Sequence, residues 1–511
     1  MLLVPLLLLL SAPPSAAART IAIYDRTLAP RMVPLVSEAI RFPTVAGNEK
    51  ARLDQQAWLM KLGSELGFTV RDAGPVTEVE LAGPPGSKVL GLVVHGDVQP
   101  VDEERWSVPP YAGVVRAGDV VGRGAADDKG PLVQALLAMS ALKASGLPLT
   151  HTVRLLVGSD EESGSSDMEA YLKSHAAPDL SLVLDSDFPV VVGEKAWNAL
   201  ALTTELTERA GGASFPYRVA QLEAGLSPSI VPDMARVVLR WREGTPDWKP
   251  LIARLARKKM PAGTALKTAV AEGELTVHVS GKSAHGGENL EGGRNALVAL
   301  ARLMEGELPR GGADDLLAFA RLAGVDLYGT GLGLLGSDPI WGRYAVNVAT
   351  IKDDADAPSI LDPKARGAGK KTLIVVARST PPLTGPELKV KLEALVTDFN
   401  ERTGARFFAS GYWDDKTLAF DPEAKIVKRL LASYARATGR REKPSISGGG
   451  TYAKRLPNAI AFGMWFRDKP YPGHDVDERV PIEDLHRGTR VLIDALVDLS
   501  TTPPIDEPFK R

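Results

Sequence analysis

VLGLVVHGD (89–97), TVRLLVGSDEE (152–162) and LSLVLDSD (180–187) share one design: an apolar run that stops abruptly on acids or on a His–Asp pair. Strands that are apolar on both faces need helices on both sides, which is the habit of a parallel or mixed sheet in an α/β domain. Between the first two runs, PLVQALLAMSALKASG (131–146) reads as a helix, with Pro in its first turn and Gly at its end. Ligands of open α/β sheets bind outside the carboxyl ends of the strands. Three polar clusters at three strand ends therefore point to one site.

Working outward, the pattern changes after about residue 195. ELTVHVS (274–280) alternates with period two, as half-exposed antiparallel strands do. NALVALARLMEGE (295–307) and LKVKLEALVTDFNERTG (388–404) read as helices. The last hundred residues return to the α/β pattern, with a helix at DPEAKIVKRLLASYARATG (421–439) and an apolar strand at NAIAFGMWF (458–466). The expected organisation is an α/β catalytic domain in two parts, 19–195 and 411–511, interrupted by an α+β domain at 196–410.

Bulk properties narrow the function classes. The chain has 511 residues, 44% hydrophobic and 24% charged, with a formal net charge of −2 and no Lys/Arg-rich run, so nothing marks a nucleic-acid partner. There is no cysteine, which excludes disulfides, thiol catalysis and thiolate metal ligands. MLLVPLLLLL followed by SAPPSAAA reads as a signal peptide over 1–18, with small-residue cleavage sites near Ala16 to Ala18 and a secreted or periplasmic destination. It lacks an early Lys or Arg, and a hydrophobic anchor is the alternative. No other segment has the character of a membrane span.

The polar clusters carry the chemistry. His95 and Asp97 stand two apart at a strand end, so they share a face, and an adjacent carboxylate is the usual device for orienting a metal-binding imidazole. GRGAADDKGP (122–131) places Asp127 and Asp128 before a helix, where alone they read as a cap. SDEESGS (159–165) brings Glu161 and Glu162, LDSDFP (184–189) brings Asp185 and Asp187, and HDVDE (474–478) brings His474. Taken singly, most of these fragments read as ordinary turns. Together they supply imidazole and carboxylate without thiolate, a donor set that suits zinc, with cobalt or manganese as alternatives. Neighbouring carboxylates with split duties, one on a metal and one taking protons, suit metal-assisted hydrolysis.

HGDVQP, GRGAADDKGP, GSDEESGS, SGKSAHG, SGGGTYAKRLPNAIAFG and the late His474, in this order, resemble the M20 family of zinc peptidases, and particularly its PepV-type dipeptidase branch. The resemblance runs from roughly residue 30 to 500. It implies a zinc-peptidase-like catalytic domain with a mixed, mostly parallel sheet and an inserted α+β lid. It implies two zinc ions per chain: His95 and Asp185 on one, Glu162 and His474 on the other, and Asp127 bridging, with a cis peptide after it. Asp97 would orient His95, and Glu161 would be the general base. His285 of SGKSAHG would reach over from the lid to the developing oxyanion. Arg378 in IVVARSTPP and Gly448, Gly449 and Gly450 in SGGGTYA would meet the carboxylate end of the substrate. The related dipeptidases carry Asn-Met-Val-Pro-Asp in the lid. Here PSIVPDMA (228–235) has Ser229 in place of that Asn, a shorter hydrogen-bonding group, which bears on substrate preference. His151, His175, His278 and His486 fall in no such motif.

The implied function is a zinc-dependent dipeptidase that cleaves unsubstituted L-dipeptides through a water activated between the metals, with Glu161 moving the proton. The long lid implies a monomer. An N-acyl-amino-acid deacylase of the acetylornithine or succinyl-diaminopimelate type is the alternative enzyme, and a non-catalytic peptide-binding protein the alternative of another class.

Overall fold

A computed structural model describes residues 14–210, 215–353 and 369–505. The apolar run of the expected signal peptide lies outside the described residues. Its small-residue end, Ala16 to Ala18, opens the first helix, Ala16–Ile23, which packs against helices Lys129–Ser145 and Ile482–Thr501 and buries Ala17 and Thr20. No helix among the described residues is long and apolar enough to cross a membrane.

The three apolar runs become adjacent parallel strands in the order His151–Gly158, Lys88–His95, Leu180–Val183. Ala459–Ala461 continues the sheet in parallel on one side. Val76–Leu81 and Thr69–Ala73 add antiparallel strands on the other, so the sheet is mixed. Successive side chains go to opposite cores, as the pleat requires. Leu90, Leu92, Val94, Leu155 and Val157 join the core under the long helices. Val93, Leu156 and Val183 meet Met168, Tyr171 and Tyr452 on the other face. Each such side chain withdrawn from water contributes roughly 1.5–3 kcal/mol.

Helix Lys129–Ser145 is buried at every position from Lys129 to Leu142 and ends on Gly146 at φ +64°. It lies between the sheet and three other helices, which is why its sequence is apolar all round rather than on one stripe. Two expectations change in detail. NALVALARLMEGE is helical only over Ala296–Leu303, before the left-handed turn at Gly306. NAIAFGMWF is two short strands, Ala459–Ala461 and Met464–Trp465, pairing with Leu180–Val183 and Ser186–Asp187 respectively. The break falls at Gly463, at φ +72°, where a Cβ would lie 2.4 Å from the Phe188 ring.

The second sheet is antiparallel, with its eight strands falling between Trp197 and Asp415. Two four-stranded halves meet between Tyr217–Ala224 and Ala345–Asp353, where the paired residues are Ala224 and Ile351. One face is covered by helices that include Ala296–Leu303, Gly312–Ala323 and Gly385–Thr403. The period-two pattern of ELTVHVS appears as buried Leu275, Val277 and Val279. The opposite face carries Ala199, Ala201, Ala349, Ile374 and Val376, with Trp197 and Trp413 packed beside them.

Candidate active site

His95 ends the strand Lys88–His95, Glu161 and Glu162 follow the strand ending at Gly158, and Asp185 follows the strand ending at Val183. Because these strands are neighbours, their ends converge. Asp127 arrives on the loop before helix Lys129–Ser145. His474 arrives on the loop before the strand Arg479–Pro481, at φ +65°, a conformation that non-glycine residues adopt mainly where the surroundings impose it. Asp127 stands between the imidazoles, its Oδ1 3.0 Å from His95 Nε2 and its Oδ2 3.1 Å from His474 Nε2. Asp185 Oδ2 lies 3.8 Å from His95 Nε2, and Glu162 Oε2 lies 3.0 Å from His474 Nε2. The Asp127–Asp128 peptide is cis. Donor atoms of His95, Glu161 and Asp185 lie within 4.8 Å of one another, as do those of His95, Asp127 and Glu162.

The electrostatics ask for a cation. Withdrawal from water opposes charge on Asp127, but the two imidazoles outweigh it and hold this carboxyl well below its ordinary range. Asp185 and Glu161 are pushed well above theirs, by desolvation first and then by the neighbouring carboxylates. His474 is lifted to about 10, because Glu162 and Asp127 overcome the cost of burial. Carboxylates crowded around two imidazoles, with one acid directing an oxygen at each ring, fit divalent metal binding.

Supporting groups fix the candidate ligands. His95 Nδ1 donates to the backbone carbonyl of Asp97 at 3.0 Å, leaving Nε2 toward the cluster. The Asp97 carboxylate stands farther from that ring, at 3.5 Å, and accepts the backbone N–H groups of Glu161 (3.2 Å) and Glu162 (3.0 Å). One residue thus steadies both the His and the acid pair. Gln99 donates to Glu162 Oε2 at 2.9 Å, and buried Asp128 accepts the His95 backbone N–H at 3.1 Å. Glu478, fully buried, escaped the sequence reading. It accepts from the backbone N–H groups of Gly124 (3.2 Å), Ala126 (2.8 Å) and Asp127 (3.1 Å) and pairs with Arg123 at 2.7 Å, so it sets the loop that presents Asp127. The only sequence signal was an acid four residues after His474.

The inserted domain closes the site. Buried His285 has its ring centroid 4.4 Å from that of His474. Its Nδ1 accepts the backbone N–H groups of Gly287 (3.0 Å) and Glu288 (2.8 Å), so the ring proton sits on Nε2. Desolvation, His474 and Arg378 keep this imidazole neutral. The Ser229 carbonyl accepts from Gly286 at 2.8 Å and lies 3.3 Å from His474 Nδ1, so lid backbone supports a candidate metal ligand. Arg378 is 4% exposed and lines the cavity, and its side chain has no hydrogen-bond or ion-pair partner among the described residues. Desolvation lowers its pKa to about 10. Gly449 and Gly450 line the cavity, whereas Gly448 packs against lid backbone, where a Cβ would lie 2.3 Å from the Gly287 carbonyl. Glu288 of the lid bonds to Ser447 and, at 2.6 Å, to the Gly449 N–H. The cavity measures about 440 Å³. His151 bonds to Thr150, His486 to Tyr24, His175 stacks on Tyr171 and His278 lies in a lid strand, all away from the cavity.

Acids and imidazoles gathered at the carboxyl edge of an α/β sheet, with an imidazole and a guanidinium brought over from a second domain, define the class of metal-dependent hydrolases. The chain belongs to Peptidase family M20/M25/M40, whose model matches residues 91–498, and it is a peptide-bond hydrolase. It is 26% identical over 420 residues to the Beta-Ala-Xaa dipeptidase of Lactobacillus delbrueckii subsp. lactis, covering 81% of this chain and 83% of that protein. Human carnosine dipeptidase 1 shares the fold at a TM-score of 0.58 and 13% identity, over 95% of this chain and 99% of that one. The di-peptidase Dug1p of Saccharomyces cerevisiae does so at 0.57 and 15%, over 94% and 97%.

Proposed function

We propose that the chain is a two-zinc dipeptidase that cleaves unsubstituted L-dipeptides. The observation that carries this reading is a single cavity lined by the metal-ligand cluster at one place and by the unpaired Arg378 guanidinium at another. A free dipeptide is a zwitterion. Its carboxylate suits Arg378, which can bind it bidentately and recover the cost of its own burial. Its ammonium suits a cavity lined by Glu161, Glu162, Asp185 and Asp187.

His95 and Asp185 would hold one zinc, Glu162 and His474 the other, and Asp127 both. Metals bound there supply Lewis acidity toward the scissile carbonyl and lower the pKa of the attacking water. Glu161 takes the proton from that water and passes a proton to the departing amine, a task suited to a carboxyl whose pKa is raised. His285 donates Nε2–H to the carbonyl oxygen as negative charge develops. Ser229 positions His474 through its carbonyl, and Gly449 with Gly450 lets the chain pass close to the substrate's carboxylate end. One chain supplies every one of these groups, which supports a monomer, and the leucine-rich start supports export.

The test compares Ala–X dipeptides with N-acetyl and N-succinyl amino acids, using enzyme stripped of metal and reloaded with zinc, cobalt or manganese. Metal-dependent cleavage of the dipeptides is expected. Faster cleavage of the N-acyl substrates would overturn the reading in favour of a deacylase.

A further inference from the structure

Two tryptophans in the cavity wall play no part in the chemistry above. We infer that Trp197 and Trp413 form the side-chain subsite for the substrate's C-terminal residue, and that the enzyme selects dipeptides whose C-terminal side chain is large and apolar. This inference rests on the dipeptidase reading.

Sheet register ties the pair to the carboxylate-binding arginine. Ala199 pairs with Val376 across the antiparallel strands Trp197–Glu205 and Lys370–Arg378, and Trp197 and Arg378 each stand two residues along from that pair. On the other side, Trp197 pairs with Asp415 and Ala199 with Trp413. Directly opposed residues share a face, as do residues two apart. Arg378, Trp197 and Trp413 therefore emerge from one face of the lid sheet into one cavity. The residue whose carboxylate meets Arg378 is the residue whose side chain lies beside the indoles.

The local chemistry suits an apolar guest. The rings meet edge to face, with centroids 6.3 Å apart and planes at 83°. Both indoles are only partly buried, so each presents apolar surface to the cavity. Ala199, Ala201 and Ala349 pack beside them and keep the neighbouring sheet surface low. Asp415, the wall acid paired with Trp197 across the sheet, is neutralised by Lys454 at 3.1 Å and Arg455 at 2.5 Å, so it neither repels an apolar side chain nor offers a free charge to a cationic one. A Cβ placed on Gly164 would lie 3.7 Å from Trp413 Cη2, which sets that ring beside the loop carrying Glu161 and Glu162. The subsite thus lies between the carboxylate anchor and the catalytic acid, where the C-terminal residue of a dipeptide must sit.

The test measures kcat/KM for Ala–Phe, Ala–Leu, Ala–Gly and Ala–Asp on the zinc-loaded full chain, then on Trp197→Ala, Trp413→Ala and the two Trp→Phe variants. Expected is a preference of roughly 10- to 100-fold for Ala–Phe and Ala–Leu over Ala–Gly, the range that side-chain burial in an apolar pocket gives. The Ala variants should bring the Phe-to-Gly ratio down toward one, and the Phe variants should retain most of it. Dipeptide cleavage with no such preference, or a ratio unmoved in both Ala variants, overturns the subsite and leaves the dipeptidase reading intact. Cleavage of N-acyl amino acids but of no dipeptide overturns both.

Discussion

Replacing Arg378 with Met should move stability and activity in opposite directions. Arg378 is 4% exposed, its guanidinium has no partner among the described residues, and desolvation brings its pKa from 12.5 to about 10. At 1.36 kcal/mol per pKa unit, the fold disfavours the charged form by about 3 kcal/mol. Met fills a similar volume without charge, so the variant should gain about 1–3 kcal/mol, seen as a higher thermal midpoint at pH 7. Burying a substrate carboxylate without its cation costs roughly 2–5 kcal/mol, so kcat/KM on a free dipeptide should fall on the order of a hundred- to a thousand-fold. The corresponding dipeptide amide has no carboxylate to lose and should fall only slightly. A lower midpoint, together with equal losses on the acid and the amide, would show that Arg378 holds the lid together and does not read the substrate.

Glu161→Gln loaded with zinc should retain as much metal as the parent loaded alike, measured by metal analysis, and lose roughly 10²–10⁴ in kcat, the usual share of a positioned proton carrier; activity within a few-fold of the parent would remove Glu161 from that role. Glu478→Gln turns an amide N–H₂ toward backbone donors that need an acceptor, so zinc affinity should weaken by about 10- to 100-fold in competition with a chromophoric chelator. Unchanged affinity would mean that the Asp127 loop does not depend on it. Burial lifts Glu194 from its ordinary 4.5 to about 7, even though Thr451 donates to it twice. The folded state then keeps a proton that the unfolded chain releases, so stability is lost as pH rises from 4.5 through 7. Glu194→Gln should flatten that loss by up to about 3 kcal/mol, read from unfolding midpoints at pH 5 and pH 8, and parallel profiles for the two proteins would refute it.

The sequence alone determined the ingredients of the site. Apolar runs that stop on His95, Glu161, Glu162 and Asp185 are visible because strand periodicity and strand ends are local properties of the chain. The same is true of the helix that Gly146 caps, of the alternation in ELTVHVS, and of a donor set without thiolate. Only the tertiary structure decided how those ingredients meet. Placing His95 on the central of three parallel strands required pairings between residues tens of positions apart, and bringing His474 to Asp127 spans most of the chain. Glu478 could not be recognised, since three of its partners are backbone N–H groups that carry no residue signature and the fourth, Arg123, lies more than 350 positions away. The family resemblance singles out Arg378 in the sequence, but only the fold shows its side chain buried without a partner among the described residues. Trp197 and Trp413 become a subsite only once antiparallel register puts them on the face of Arg378. Short-range patterning follows from covalent geometry, but a charge is costly or a wall apolar only relative to what folding places beside it.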